Sequence, residues 1–135
     1  MQRILIVEDS PTMRAMLAAA LEELPDPVKL TAVSSGFEAL RELPRTAYDL
    51  IVTDINMPDI NGLELVSFVR RSEAYRSIPL VIVSTEGSQR DREKGLSLGA
   101  DAYLVKPFDP ADLCRLIQEL LAGSGRDADV PAKED

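Results

Sequence analysis

The sequence predicts an α/β domain: a doubly wound sheet of five parallel strands in the order 2-1-3-4-5, (βα)5 in outline, with helices on both faces. Three observations predict it. Short apolar runs alternate five times with segments whose apolar residues recur at helical spacing. Strands joined through helices run parallel, and right-handed crossovers lay those helices on both sides of the sheet. The runs at 4–7, 50–52 and 80–83 are continuously apolar, as central strands are, whereas 28–33 (VKLTAV) alternates, as a half-covered edge strand does.

In chain order, the first strand spans 4–7. Ser10-Pro11 then offers an N-cap acceptor and a proline at the first helical position. Met13, Met16, Leu17, Ala20, Leu21 and Leu24 make one packed face of the helix that follows. After the edge strand at 28–33, Ser35-Gly-Phe-Glu38 reads as a capping box for a short helix marked by Phe37, Leu40 and Leu43. The third strand, 50–53, drives into Asp54 and a helix-hostile loop holding Asn56, Pro58, Asp59, Asn61 and Gly62. Asn61-Gly-Leu-Glu64 is a looser capping box for a helix carrying Leu63, Val66 and Val69. The fourth strand, 80–83, precedes a weakly specified helix over 89–98. Its sizeable apolar residues are Leu96 and Leu98, and Gly95 interrupts it at a cost of about 1 kcal/mol relative to alanine. The fifth strand, 102–105, leads through Asp109-Pro110 into a last helix faced by Leu113, Leu116, Ile117, Leu120 and Leu121. Beyond Ala122 all periodicity is lost, so 1–122 is expected to form the domain and 123–135 a disordered tail.

Composition narrows the function. At 135 residues, 45% hydrophobic and 28% charged, the chain suits one soluble domain with a real core. A net charge of −8 disfavours nucleic acid, whose phosphates call for basic surface, and an anionic membrane likewise. No apolar run approaches the length of a membrane span. The single cysteine, Cys114, cannot form an internal disulfide; it reads as a core-flanking thiol in a protein of the reducing cytoplasm. With no histidine, zinc sites and histidine triads are excluded, and any metal must sit on oxygen ligands.

In a doubly wound sheet the site lies beyond the carboxyl ends of strands one and three, where the winding direction reverses. That rule gathers Glu8, Asp9 and Asp54. Three carboxylates in one cleft repel unless a cation sits among them. Magnesium suits them, and manganese is compatible. Ser84-Thr85 ends strand four and Lys106 follows strand five. Hydroxyls and an ammonium facing a carboxylate and a divalent cation make a place for a phosphoryl group. Singly, each residue is more often a solvated cap or turn residue; together, at adjoining strand ends, they indicate a site.

Glu8-Asp9, Asp54 with MPDINGLEL after it, Ser84, and Lys106-Pro107-Phe108 follow in order on the strand ends. This set resembles the motifs of response-regulator receiver domains, and most of all those of single-domain chemotaxis regulators, over roughly residues 3–121. The resemblance implies a flavodoxin-like fold with the family's own 2-1-3-4-5 order, so that order is not independent of it. It implies that Asp54 accepts a phosphoryl group from a phosphohistidine on a partner histidine kinase or phosphotransfer protein. Asp9, Asp54 and the Asn56 carbonyl would ligate Mg2+, with Glu8 acting through a water. Lys106 would pair with the phosphoryl oxygens, Ser84 would bond to one of them, and Tyr103 would be the aromatic switch behind Ser84. Asn56 and Glu86 would tune hydrolysis, and the Lys106–Pro107 bond would be cis. Glu8 and Ser84 depart from the commoner aspartate and threonine.

The loosely anchored 89–98 helix, the strand around Tyr103 and the helix from Asp109 are then expected to form the target-binding face. The charges Arg90, Arg92, Glu93 and Lys94 read as a solvated surface, and Arg14 as an exposed residue beside the site where a kinase docks. A 13-residue tail holds no DNA-binding domain, so output is expected through protein contacts by a monomer, or by a dimer formed on phosphorylation. Two other readings compete. A haloacid-dehalogenase-type phosphohydrolase also uses an aspartyl phosphate, but it needs Asp-x-Asp near the first strand, where this chain has Glu8-Asp9-Ser10. A flavin binder needs aromatic stacking, and aromatics are 4% of the chain.

Overall fold

Strands and helices alternate along residues 1–85 and 87–124, the residues that the computed structural model describes. The elements are β1 (Gln2–Val7), α1 (Pro11–Leu21), β2 (Val28–Val33), α2 (Gly36–Glu42), β3 (Leu50–Thr53), α3 (Gly62–Arg71), β4 (Leu80–Ser84), α4 (Gln89–Leu98), β5 (Ala102–Val105) and α5 (Pro110–Ser124). The strands form one parallel sheet in the order β2-β1-β3-β4-β5. Helix α5 continues to Ser124, and the rest of the expected tail lies outside the described residues.

Side chains alternate across a strand, so a strand covered on both faces feeds two cores. Leu5 and Val7 of β1 join Ile51, Ile82 and Tyr103 under α2 and α3, where Ala39, Leu65, Val66 and Val69 meet them. Ile4 and Ile6 join Leu50, Val52, Val81 and Val83 under α1 and α5, packed by Leu17, Leu21, Leu113 and Ile117. The two layers hold the carboxyl ends of β1, β3, β4 and β5 in fixed positions. Those ends carry the candidate residues.

Several expectations change in detail. β1 begins at Gln2 and β4 runs to Ser84, because polar residues join a parallel ladder through their backbone whatever their side chains. Met16 is not in the core: it is 54% exposed, at the rim of the arc that Leu17, Ala20 and Leu21 turn inward. Cys114 flanks the second core as expected, its thiol donating to the Ala20 carbonyl at 3.0 Å. The capping boxes exchange strength. Asn61 and Glu64 close reciprocally, at 2.9 and 3.0 Å. Ser35 accepts from the Glu38 N–H at 3.1 Å, but the Glu38 carboxylate turns instead to Ser34, whose N–H lies at 3.0 Å. The Gly36 and Phe37 N–H groups donate to Asp59, 23 and 22 residues away, in the loop that follows β3.

Helix α4 is as thinly anchored as its sequence suggests. Gly95 is its buried residue, Leu96 is 38% exposed and Leu98 half-buried. A Cβ at position 95 would stand 2.9 Å from Ile82 Cδ1 and 3.2 Å from Tyr103 Cδ2. The glycine thus lets the helix settle directly on the sheet, a close approach that helix propensity counts only as a cost. Arg92 is exposed, as expected, and its guanidinium also donates to the Tyr103 carbonyl at 3.1 Å, tying α4 to β5.

Candidate functional site

Glu8, Asp54, Ser84 and Lys106 sit where strands end, and backbone bonds fix these ends. The Glu8 N–H donates to the Val33 carbonyl (3.0 Å) and the Asp54 N–H to the Val7 carbonyl (3.0 Å), which extends the β2-β1-β3 ladder into the site. The Lys106 N–H donates to the Ser84 carbonyl at 2.8 Å, joining β4 to β5 at the same level. The Lys106–Pro107 bond is cis, as expected.

These ends bring Glu8, Asp9 and Asp54 together, with one carboxylate oxygen from each lying within 4.8 Å of the others. Glu8 and Asp54 are buried and Asp9 is exposed. Asp54 Oδ1 accepts from the Ile55 N–H at 2.7 Å, which sets the plane of the carboxylate. Its other oxygen, Oδ2, lies 3.5 Å from Lys106 Nζ. The same ammonium makes a shorter pair, 2.9 Å, with Glu8 Oε1. Glu8 Oε2 accepts from the Ser10 N–H at 3.2 Å. Burial pushes the Glu8 carboxyl above the usual range, against the pull of Lys106 and the Ser10 N–H, with the Asp54 charge adding to the rise.

The donor set fits a hard divalent cation. Three carboxylates face one ammonium, so negative charge remains uncompensated, and the oxygens belong to the class that magnesium and manganese prefer. Asn56 is exposed on the loop after Asp54. Ser84 is buried at the end of β4, opposite Val105, and the Tyr103 side chain is buried in the first core, against Gly95 of α4. Thr85 is exposed, and Glu86 lies outside the described residues.

Two contacts in the site were not foreseen. The Glu8–Lys106 pair joins residues 98 apart in sequence. Its only sequence trace is that glutamate, one methylene longer than the commoner aspartate, has the greater reach. Arg14 is half-buried rather than free, and its Nη1 donates to the carbonyls of Glu8 and Asp9 at 2.9 and 3.2 Å. Its position one helical turn beyond Ser10 permits that return, but helical spacing alone does not distinguish it from an exposed arginine.

Comparison with known proteins agrees with this geometry. The model of the response regulator receiver domain family matches residues 4–118. A chemotaxis protein CheY homolog from Campylobacter jejuni is 38% identical, over 93% of this chain and 98% of its own. The signal receiver domain of a signal transduction histidine kinase from Syntrophus aciditrophicus is similar in structure, with a TM-score of 0.85 and 33% identity over 98% of this chain and 99% of that one. The receiver domain of a sensor histidine kinase from Pseudomonas aeruginosa, crystallised with a magnesium ion coordinated in its active site cleft, has a TM-score of 0.81 and 34% identity over 90% of this chain and 98% of that one.

Proposed function

The chain belongs to the response regulator receiver domain family, and on that premise we propose that Asp54 is its phosphoacceptor. The observation that carries the proposal is the buried Asp54 carboxylate beside Glu8 and Asp9, with Lys106 reaching both Glu8 and Asp54. An Asp54 oxygen attacks the phosphorus of a phosphohistidine on a histidine kinase or phosphotransfer protein. The P–N bond breaks, its electron pair leaves with the imidazole, and an acyl phosphate remains on Asp54. Asp9, Asp54 and the Asn56 carbonyl would hold Mg2+, or Mn2+, with Glu8 assisting through a water. The metal, when bound, supplies charge neutralisation for the transferring phosphoryl oxygens. The magnesium in the cleft of the Pseudomonas receiver domain supports this assignment.

Lys106 exchanges Glu8 for a phosphoryl oxygen, and Ser84 bonds to another. The new anion favours the arrangement in which both contacts form, with a coupling of about 1–3 kcal/mol. Asn56 and Glu86 tune how long the acyl phosphate lasts. The protein stores and displays a signal and does not turn over a substrate; nothing in the family match supports the haloacid-dehalogenase alternative. Residues 1–122 suffice for this role.

The output face is α4-β5-α5, which binds a downstream target protein and not nucleic acid. A groove of about 430 Å³ between these elements, lined by Arg92, Leu96, Tyr103, Leu104, Arg115 and Leu116 among others, supports that reading. The Campylobacter relative, named as a chemotaxis protein, supports a chemotaxis role. No helix among the described residues is long and apolar enough to cross a membrane. The protein acts as a monomer, or as a dimer when phosphorylated.

Hydrogen exchange with and without beryllium fluoride and Mg2+, which mimic the acyl phosphate, tests the switch. Protection is expected to change across Gln89–Leu98 and around Tyr103, because the thin anchoring of α4 gives it low local stability. The Asp54→Asn variant is expected to show no change. Equal protection of the wild type in both conditions contradicts the reading.

A further inference from the structure

Of the three clustered carboxylates, two are held by partners of their own. Glu8 is fixed by Lys106 and the Ser10 N–H, and Asp54 by the Ile55 N–H and Lys106. The exposed Asp9 carboxylate accepts no hydrogen bond among the described residues. Its direction therefore rests on its backbone, and that backbone is gripped from one side. The Glu8 carbonyl belongs to the peptide plane before Asp9 Cα and the Asp9 carbonyl to the plane after it. Arg14 Nη1 donates to both, at 2.9 and 3.2 Å. Two anchored planes fix φ and ψ of the residue between them, and with them the direction of its Cβ. Arg14 is itself placed by α1, where its N–H donates to the Ser10 carbonyl at 2.9 Å and Ser10 caps the helix.

We propose that Arg14 is a positioning residue for the metal site. Its guanidinium holds the Glu8-Asp9 turn so that Asp9 faces Asp54, ready to ligate Mg2+. This rests on the reading of Glu8, Asp9 and Asp54 as the magnesium site. The sign of the effect separates positioning from simple charge. A cation beside a metal site repels the metal, so removing Arg14 for its charge alone would tighten Mg2+ binding. Losing a group that orients a ligand weakens it, commonly by tenfold or more.

The test is Mg2+ titration by calorimetry on the whole protein, for wild type, Arg14→Ala and Arg14→Lys. Arg14→Ala is expected to bind Mg2+ about tenfold more weakly than wild type. Lysine keeps the charge and can reach one carbonyl, so Arg14→Lys is expected to recover part of the loss. Phosphorylation by acetyl phosphate supplies a second readout: the Mg2+ concentration for half-maximal rate rises in Arg14→Ala, while the rate at saturating Mg2+ stays near wild type. Unchanged or tighter Mg2+ binding in Arg14→Ala, or binding by Arg14→Lys as weak as by Arg14→Ala, overturns the positioning role alone. Wild type that binds no Mg2+ overturns the metal reading and the positioning role with it.

Discussion

Replacing Lys106 by methionine is expected to lower stability by about 3 kcal/mol in metal-free buffer, the low end of the cost of removing one partner from a buried ion pair. The Lys106 and Glu8 side chains are 7% and 1% exposed and meet at 2.9 Å. Without the ammonium, Glu8 stays buried against Asp54 with no cation between them. Part of the cost is relieved because the Glu8 carboxyl, already raised by burial, takes up a proton. Urea unfolding in EDTA measures the loss. Millimolar Mg2+ is expected to narrow the gap between variant and wild type, since an ion that binds only the folded state stabilises it and the variant has lost the cation that competes for these oxygens. A variant as stable as wild type in EDTA, or one that Mg2+ stabilises less than wild type, contradicts this view of Lys106 as a resident counter-ion.

Gly62→Ala is expected to cost roughly 3 kcal/mol, the upper range for an added methyl with no room to move. A Cβ at position 62 would overlap the Asp54 carbonyl and stand 2.9 Å from Ile55 Cα. The Gly62 N–H donates to the Ile55 carbonyl at 2.8 Å, so the start of α3 lies directly on the peptide that follows Asp54. Either α3 retreats and loses that bond and its closed Asn61–Glu64 cap, or the Asp54–Ile55 peptide shifts and takes the carboxylate with it. Urea unfolding and the rate of phosphorylation by acetyl phosphate should therefore fall together. A variant within 0.5 kcal/mol of wild type, the range of an ordinary surface substitution, contradicts the close approach.

The limits of what could be read from the chain alone follow from range. The existence and order of the strands, the edge character of 28–33 and the convergence of Glu8, Asp9 and Asp54 depend on local periodicity and one topological rule, and these were legible. The start of β1 and the end of β4, set by backbone pairing of polar residues, were not. Met16 was misplaced because helical spacing marks an arc without marking its rim. The Ser35 box was overrated because its glutamate has a competing partner one residue earlier, at Ser34, and because Asp59 serves the remaining N–H groups from a distant loop. Gly62 and Gly95 read as a turn residue and a helix defect; each is a close approach of backbone to a neighbour that sequence cannot show. The Glu8–Lys106 pair and the Arg14 clamp were invisible for a related reason. The residue types were noted correctly, but their partners are set by tertiary geometry, across 98 residues in one case and by a side chain folding back on its own loop in the other.

Asp54 is proposed to take and hold one phosphoryl group with the help of Mg2+, and intact mass after incubation with acetyl phosphate and Mg2+ tests this. The wild-type chain is expected to gain the mass of one phosphoryl group, to lose that gain when EDTA replaces Mg2+ during the incubation, and to show none in Asp54→Ala. A wild-type chain that gains nothing, or an Asp54→Ala variant that gains the same mass, contradicts it.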